Sequence, residues 1–273
     1  MDGRLLIGAM LALVLLAFGG FYVALGPHSG DTVPPVTPPP PIAAPANAAG
    51  PVSVPPPMAT AESIEAEFAQ SEHAELLALL KKSFPADYAE FVAQAVRRRN
   101  EGVPDQAFGQ ELAERLQEVM RAKLKFGAGA SMPTIDRLAA NEASLFHALG
   151  TEGAPFCLKM LGRDDSPAAG PPPDSVRQLM TLGTLYRFQA IAEGVANSKP
   201  IEPLTKDETR AYEASLTRAG LNLKDVSTGA YFKPSVEPGK PCLTLETLHL
   251  AIAKLPDGVR RKIYASMFFA GRG

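Results

Sequence analysis

The spacing of apolar positions changes twice along this chain. From Leu5 to Leu25 apolar and small residues run on without a single charge. At 1.5 Å per residue such a run makes roughly 30 Å of helix, one bilayer core. It predicts a transmembrane signal-anchor over residues 5–26, in contact with the lipid bilayer, with residues 1–4 as a cytoplasmic stub. Arg4 and the amino terminus give the weak positive bias that keeps this end inside. A second expectation competes. Ala24-Leu25-Gly26 resembles a signal cleavage site, and a cut there would release the protein from the membrane. Against it, Pro27 would follow the cut, and the run exceeds a signal core of about 7–15 residues.

Beyond the run, periodicity disappears. Val33 to Met58 holds 11 of the 26 prolines and no charged residue. Proline lacks an amide donor and fixes φ, so the segment cannot build a core. Residues 27–59 are expected to form a disordered proline-rich linker, in which Val33–Met58 alone reaches roughly 80 Å at full stretch.

From Thr60 onward the period is helical. Ile64, Phe68, Leu76, Leu77 and Leu80 predict a helix over Glu62–Lys82, and Pro85 suits the first turn of the next. Tyr88, Phe91, Val92, Ala95 and Val96 follow at i, i+3, i+4, i+7, i+8. Phe108, Leu112, Leu116, Val119, Met120 and Leu124 form another stripe, with Glu111 and Arg115 at a supportive spacing opposite. A helix is expected from Pro133 to Leu149, a short apolar piece at Cys157–Leu161, and a helix over Ser175–Ala196 with Asp174 as N-cap. The last, apolar around much of its circumference, is expected to be the central and most buried. Thr205 and Glu208 make a capping box for a helix from Lys206 to Gly220. Leu221–Lys240 reads as irregular, and Leu243–Leu255 and Val259–Phe269 as two closing helices. No alternating β-branched run exceeds four or five residues. The expected fold is all-α, about seven to nine helices over residues 60–273.

Composition sharpens this picture in two places. The whole chain carries a net charge of −2, and residues 60–273 hold 27 acidic and 26 basic side chains. A domain this neutral has no bulk attraction to polyanions, so no nucleic-acid partner is expected. Richness in alanine, proline and glycine fits a GC-rich bacterial gene, which makes the far side of the membrane a periplasm.

Candidate chemistry is sparse. Cys157 and Cys242 are the only cysteines, and an even pair in an oxidising compartment suggests a disulfide. His28, His73, His147 and His249 form no HExxH motif, and no paired CxxC exists, so no metal or cofactor is expected. There is no nucleophile elbow and no Walker sequence. The loop Gly127-Ala128-Gly129 precedes a helix but is a weak phosphate cradle. Glu142, in an Ala-rich helix, is the one weak candidate for a catalytic pocket acid. Three basic groups end or edge helices: Arg97, Arg98 and Arg99; Arg121, Lys123 and Lys125; Arg260, Arg261 and Lys262. The first and third are candidates for an anionic ligand.

These readings give a single-pass inner-membrane protein with a periplasmic helical domain that binds or scaffolds a protein or cell-wall partner. The alternative is a cell-envelope hydrolase or lyase acting on peptidoglycan through a helix-borne carboxylate such as Glu142. A second alternative is a carrier of small apolar ligands.

Overall fold

The computed structural model describes residues 58–71, 73–161, 171–228 and 237–270. The expected stub 1–4, the anchor 5–26 and the linker up to residue 57 lie outside the described residues. Among the described residues every regular element is helical, and no helix is long and apolar enough to cross a membrane.

Eleven α-helices are present among the described residues, more than the pattern predicts, and two local causes account for the excess. The expected helix Glu62–Lys82 is broken into α1 (Ala61–Gln70) and α2 (Ala74–Ser83). At the break Ser71 turns extended, and both its amide and its hydroxyl donate to the Phe68 carbonyl. A side chain that takes over a helix carbonyl in this way competes with the next helical turn. The bend lets Ile64 and Phe68 of α1 enter the same core as Leu76, Leu77 and Leu80 of α2. The second addition is a short helix, Leu223–Thr228, inside the stretch expected to be irregular.

The next two helices follow their stripes. α3 (Pro85–Asn100) starts on Pro85 and buries Tyr88, Phe91, Val92 and Ala95. α4 (Asp105–Lys123) buries Phe108 and Val119, with Leu112, Leu116 and Met120 half-covered. Glu111 does not pair with Arg115 as its spacing suggests. It accepts from Arg98 across the α3–α4 contact, while Arg115 pairs with Glu90 at 2.8 Å and Glu118 at 2.9 Å. A partner from a neighbouring helix holds both elements, which an intrahelical pair does not.

A 3₁₀ turn, Leu124–Gly129, leads into α5 (Met132–Thr151) and α6 (Ala154–Met160). Then come α7 (Asp174–Ala196) and α8 (Lys206–Arg218). The short Leu223–Thr228 is α9; α10 (Lys240–Ile252) and α11 (Asp257–Phe269) close the fold. Asp174 is the first helical residue of α7, not its cap, which is Pro173. The capping box of α8 forms as its sequence implies: Glu208 N–H donates to Thr205 Oγ1 at 3.3 Å, and Thr205 N–H to Glu208 Oε2 at 2.7 Å.

Apolar side chains gather in two cores. One joins α1 to α4; the other joins α5, α6, α8, α10 and α11. α7 lies between them and contributes to both, with Leu185, Phe188 and Ile191 on the first side and Val176, Met180 and Ala190 on the second. It is central, as its sequence suggests, but not the most buried. α5 buries 11 of its 20 residues against 10 of 23 for α7, and Leu182 and Val195 of α7 remain exposed. A helix between two small cores keeps open edges that a helix inside one core does not.

α7 also packs closely on the 3₁₀ turn. A side chain on Gly194 would meet the Phe126 carbonyl oxygen at 1.7 Å, and one on Gly127 would meet the Phe269 ring at 2.2 Å. These glycines are where backbone and ring pass too near for a Cβ.

Candidate functional site

A cluster of buried polar side chains lies where α5 crosses α7: Asn141 and Glu142 on α5, and Thr184 and Arg187 on α7. Glu142 is 1% exposed. Arg187 donates from Nη2 to Glu142 Oε1 at 2.8 Å, while Oε2 has no hydrogen-bond partner. Asn141 Nδ2 donates to the Leu179 carbonyl at 3.0 Å, and Thr184 Oγ1 to the Met180 carbonyl at 3.1 Å. Gly183 supplies the room: a Cβ there would stand 3.0 Å from Asn141 Nδ2 and 3.9 Å from Glu142 Oε1. Burial pushes the Glu142 carboxyl above its ordinary pKa, and the Arg187 charge opposes that rise.

This geometry binds two helices; it does not present an acid to a substrate. A general acid must come within hydrogen-bond reach of the group it protonates. Glu142, expected as a pocket acid, is inside the fold with a guanidinium against it. Arg187 is the residue that reading the sequence missed. A partial signal was there: an arginine between Tyr186 and Phe188 in the middle of a largely apolar helix, and the single glutamate of an Ala-rich helix. A charge that must be buried needs a charge to meet it.

A second polar contact ties α7 to the start of α5. Glu193 accepts from Ser131 N–H at 3.0 Å, Ser131 Oγ at 2.9 Å and Thr134 Oγ1 at 2.6 Å. Ser131 is the N-cap of α5 but makes no cap hydrogen bond with its own side chain. A carboxylate from another helix fills that place, favoured by the positive end of the helix dipole. The helix start behind Gly127-Ala128-Gly129 is therefore occupied from within. Burial works to raise the Glu193 pKa, but the bonds from Thr134 and Ser131 outweigh it and hold the carboxyl below its ordinary value. Glu193→Ala is expected to cost about 1–2 kcal/mol, the worth of a good N-cap. Because the folded pKa is depressed, the contribution is full above pH 4.5 and fades as pH falls through the folded value. Thermal melts of both proteins across that range check it: their gap should narrow in acid.

Both thiols are used. Cys157 of α6 and Cys242 of α10 are joined by a disulfide, S–S 2.15 Å and Cα–Cα 5.9 Å. Both lie at 0% exposure inside the second core.

The expected anion-binding cations are mostly partnered within the fold. Arg98 pairs with Glu101 and Glu111, and Arg99 with Glu67 and Asp105; Arg99 also lies over the Phe108 ring at 4.3 Å. Arg260 reaches Asp136 and Asp257, each at 2.9 Å. Arg261 donates to the Ala130 carbonyl, and Lys262 meets Glu208 at 3.1 Å. Lys123 pairs with Asp87 at 3.0 Å. Arg97 is exposed. Most of these partners come from other helices, so the cations bridge elements of the fold.

The histidines separate. His147 is exposed, with Nδ1 3.1 Å from the Glu246 carboxylate. His73 is the N-cap residue of α2. His249 is 2% exposed, and its Nδ1 has no hydrogen-bond partner. His28 lies outside the described residues. Among the described residues no group of three or more His, Cys, Asp or Glu side chains could hold a metal ion.

Compared with the models of known protein families, with curated proteins and with solved structures, the chain matches none.

Proposed function

We propose that this chain is a membrane-anchored, periplasm-facing helical protein of the bacterial cell envelope that binds or scaffolds a protein or wall partner and performs no reaction of its own. The observation that carries this reading is the order of its parts. A charge-free apolar run comes first, then a charge-free proline-rich spacer, then a helical domain closed by a disulfide. A disulfide suits an oxidising compartment beyond the membrane. The spacer gives the domain reach from a fixed point. Inside the domain, the carboxylate best placed by sequence for acid chemistry is committed to Arg187, which supports binding over hydrolysis.

The test is made on the full chain in bacterial spheroplasts. An intact Met1, together with a C-terminal domain digested by external protease, is expected. Photo-crosslinkers on the exposed positions Leu243 and Leu250 are expected to capture an envelope protein or wall fragment. A domain sheltered from external protease would overturn the placement, and a mature N-terminus at Pro27 or later would overturn the anchor. Cleavage of purified peptidoglycan that disappears in Glu142→Gln would replace binding with hydrolysis.

A further inference from the structure

α10 is held differently at its two ends. Near its start, Cys242 is bonded to Cys157 of α6, and Gly239 lies against Gly150 so closely that a Cβ would meet the Gly150 carbonyl oxygen at 2.2 Å. Two turns further on, the hold is an aromatic layer. The His249 ring is 5.6 Å from Phe146 of α5, and 6.0 and 5.9 Å from Tyr264 and Phe268 of α11. Tyr264 OH donates to the His249 carbonyl at 3.1 Å, and Ser215 Oγ of α8 to the Ala251 carbonyl at 2.9 Å. The imidazole sits in this layer with Nδ1 unpartnered.

We propose that His249 is an acid-sensitive latch: protonating its ring undocks the C-terminal half of α10 from α5 and α11, while the disulfide keeps the start of the helix in place. A neutral imidazole packs here as a flat, largely apolar ring. An imidazolium carries a second N–H, and no acceptor lies within reach of Nδ1. Ring faces attract a cation, but they do not accept that hydrogen bond, and a cation buried without one is strongly disfavoured. Burial accordingly lowers the His249 pKa to about 4.

The other ionisable groups around the layer do not account for such a response. Tyr264 is influenced by Asp136 and Arg260, which pair with each other at 2.9 Å. Tyr212 of α8 is buried, and its hydroxyl is pushed up, not down. On the outer side, His147 of α5 faces Glu246 of α10. A positive ring at that place meets a carboxylate, an attraction that opposes undocking. His249 is left as the group whose charging loosens the contact. The direction follows from linkage. The undocked ring takes its proton near the ordinary value of 6.5 and the docked ring near 4, so the undocked state gains as pH falls below 6.5 and the gain levels off below the docked value. At pH 4.5 the population of the undocked state should rise roughly 60-fold over that at pH 7.

Hydrogen exchange on the full chain in detergent micelles, corrected for intrinsic rates, tests this. From pH 7 to pH 4.5, peptides covering His249–Ile252 and α11 should lose protection by that factor, while α3 keeps its own. His249→Phe, which has no proton to take up, should hold protection constant across the range. Equal acid loss in wild type and His249→Phe, or no loss in wild type, would overturn the latch. If His249→Phe does not fold, histidine ring resonances of the wild type decide the matter. A His249 midpoint that coincides with the loss of protection supports the latch. A midpoint near 6.5 without such a loss refutes it.

Discussion

Glu142→Ala is expected to destabilise the protein by about 3–5 kcal/mol, because it takes from the buried Arg187 guanidinium the carboxylate that faces it at 2.8 Å. Guanidinium cannot escape by losing a proton. Arg187→Met leaves the opposite remnant, a buried carboxyl, and that group has an escape. Burial already pushes Glu142 upward in the wild type against the pull of Arg187, so without Arg187 it takes a proton and stays neutral. The cost should fall to about 1–3 kcal/mol, that of an unsatisfied polar group. Its pH dependence has a definite sign. A carboxyl whose folded pKa is raised binds more protons folded than unfolded, so Arg187→Met should lose stability as pH rises above 4.5. The double variant Glu142→Leu/Arg187→Met removes both charges and should return to within about 1 kcal/mol of wild type or exceed it. Urea midpoints for the four proteins make the comparison. A cost below about 1 kcal/mol for Glu142→Ala would sink this account, since a buried guanidinium that loses its facing carboxylate cannot be that cheap.

Such a pair does more for the choice of fold than for its stability. α7 is apolar on most sides, and a helix of that kind slides and rotates at little cost against two greasy neighbours. A buried glutamate facing a buried arginine, beside the close approach at Gly183, favours one register. The same reasoning explains Glu193 at the far end of α7, which fixes that helix to the start of α5. Two polar contacts at separate points on α7 define its rotation and its height.

How much of this was legible in the sequence follows from what each signal reports. Apolar stripes report one face of one helix, so α3, α4, α5, α7, α8, α10 and α11 lie close to their expected positions. Local chemistry is also legible: Thr205 with Glu208, and Pro85 in a first turn, act within three or four residues. The break at Ser71 was missed because the stripe continues across it, and only the side-chain bond to Phe68 ends the helix. Leu223–Thr228 was missed because six residues are too few for a period to show. Pairings across the chain were the hardest. Glu142 and Arg187 are 45 residues apart, and Ser131 and Glu193 are 62 apart. A charge in an apolar stretch says that a partner is needed, but nothing local says which residue it is. The same limit applies to the basic clusters, which read as candidate anion sites until Glu67, Glu111, Asp136 and Glu208 arrive from other helices.

The other large effect is expected from the disulfide. Cys157→Ala/Cys242→Ala should lower stability by roughly 4 kcal/mol, the loop-closure effect for a bridge of this span; the cysteines are 85 residues apart in sequence. The span matters more than the local contact, since it runs from α6 through α7, α8 and α9 to α10 and restricts all of them in the unfolded chain. Alanine is the right replacement, because a serine hydroxyl at either fully buried position would lack a sure partner. Packing gives an independent check on the mechanism. If the bridge acts through the unfolded chain, wild type unfolded and refolded under reducing conditions should match the double variant within about 1 kcal/mol. Native wild type should also resist a thiol reductant until it opens, because both sulfurs are sealed in the core. Its reduction rate should then follow the opening rate of the domain and not the concentration of reductant. Equal urea midpoints for wild type and double variant would remove the bridge from the forces holding α6 to α10. The Gly150–Gly239 backbone contact and the apolar core would be left to hold them alone.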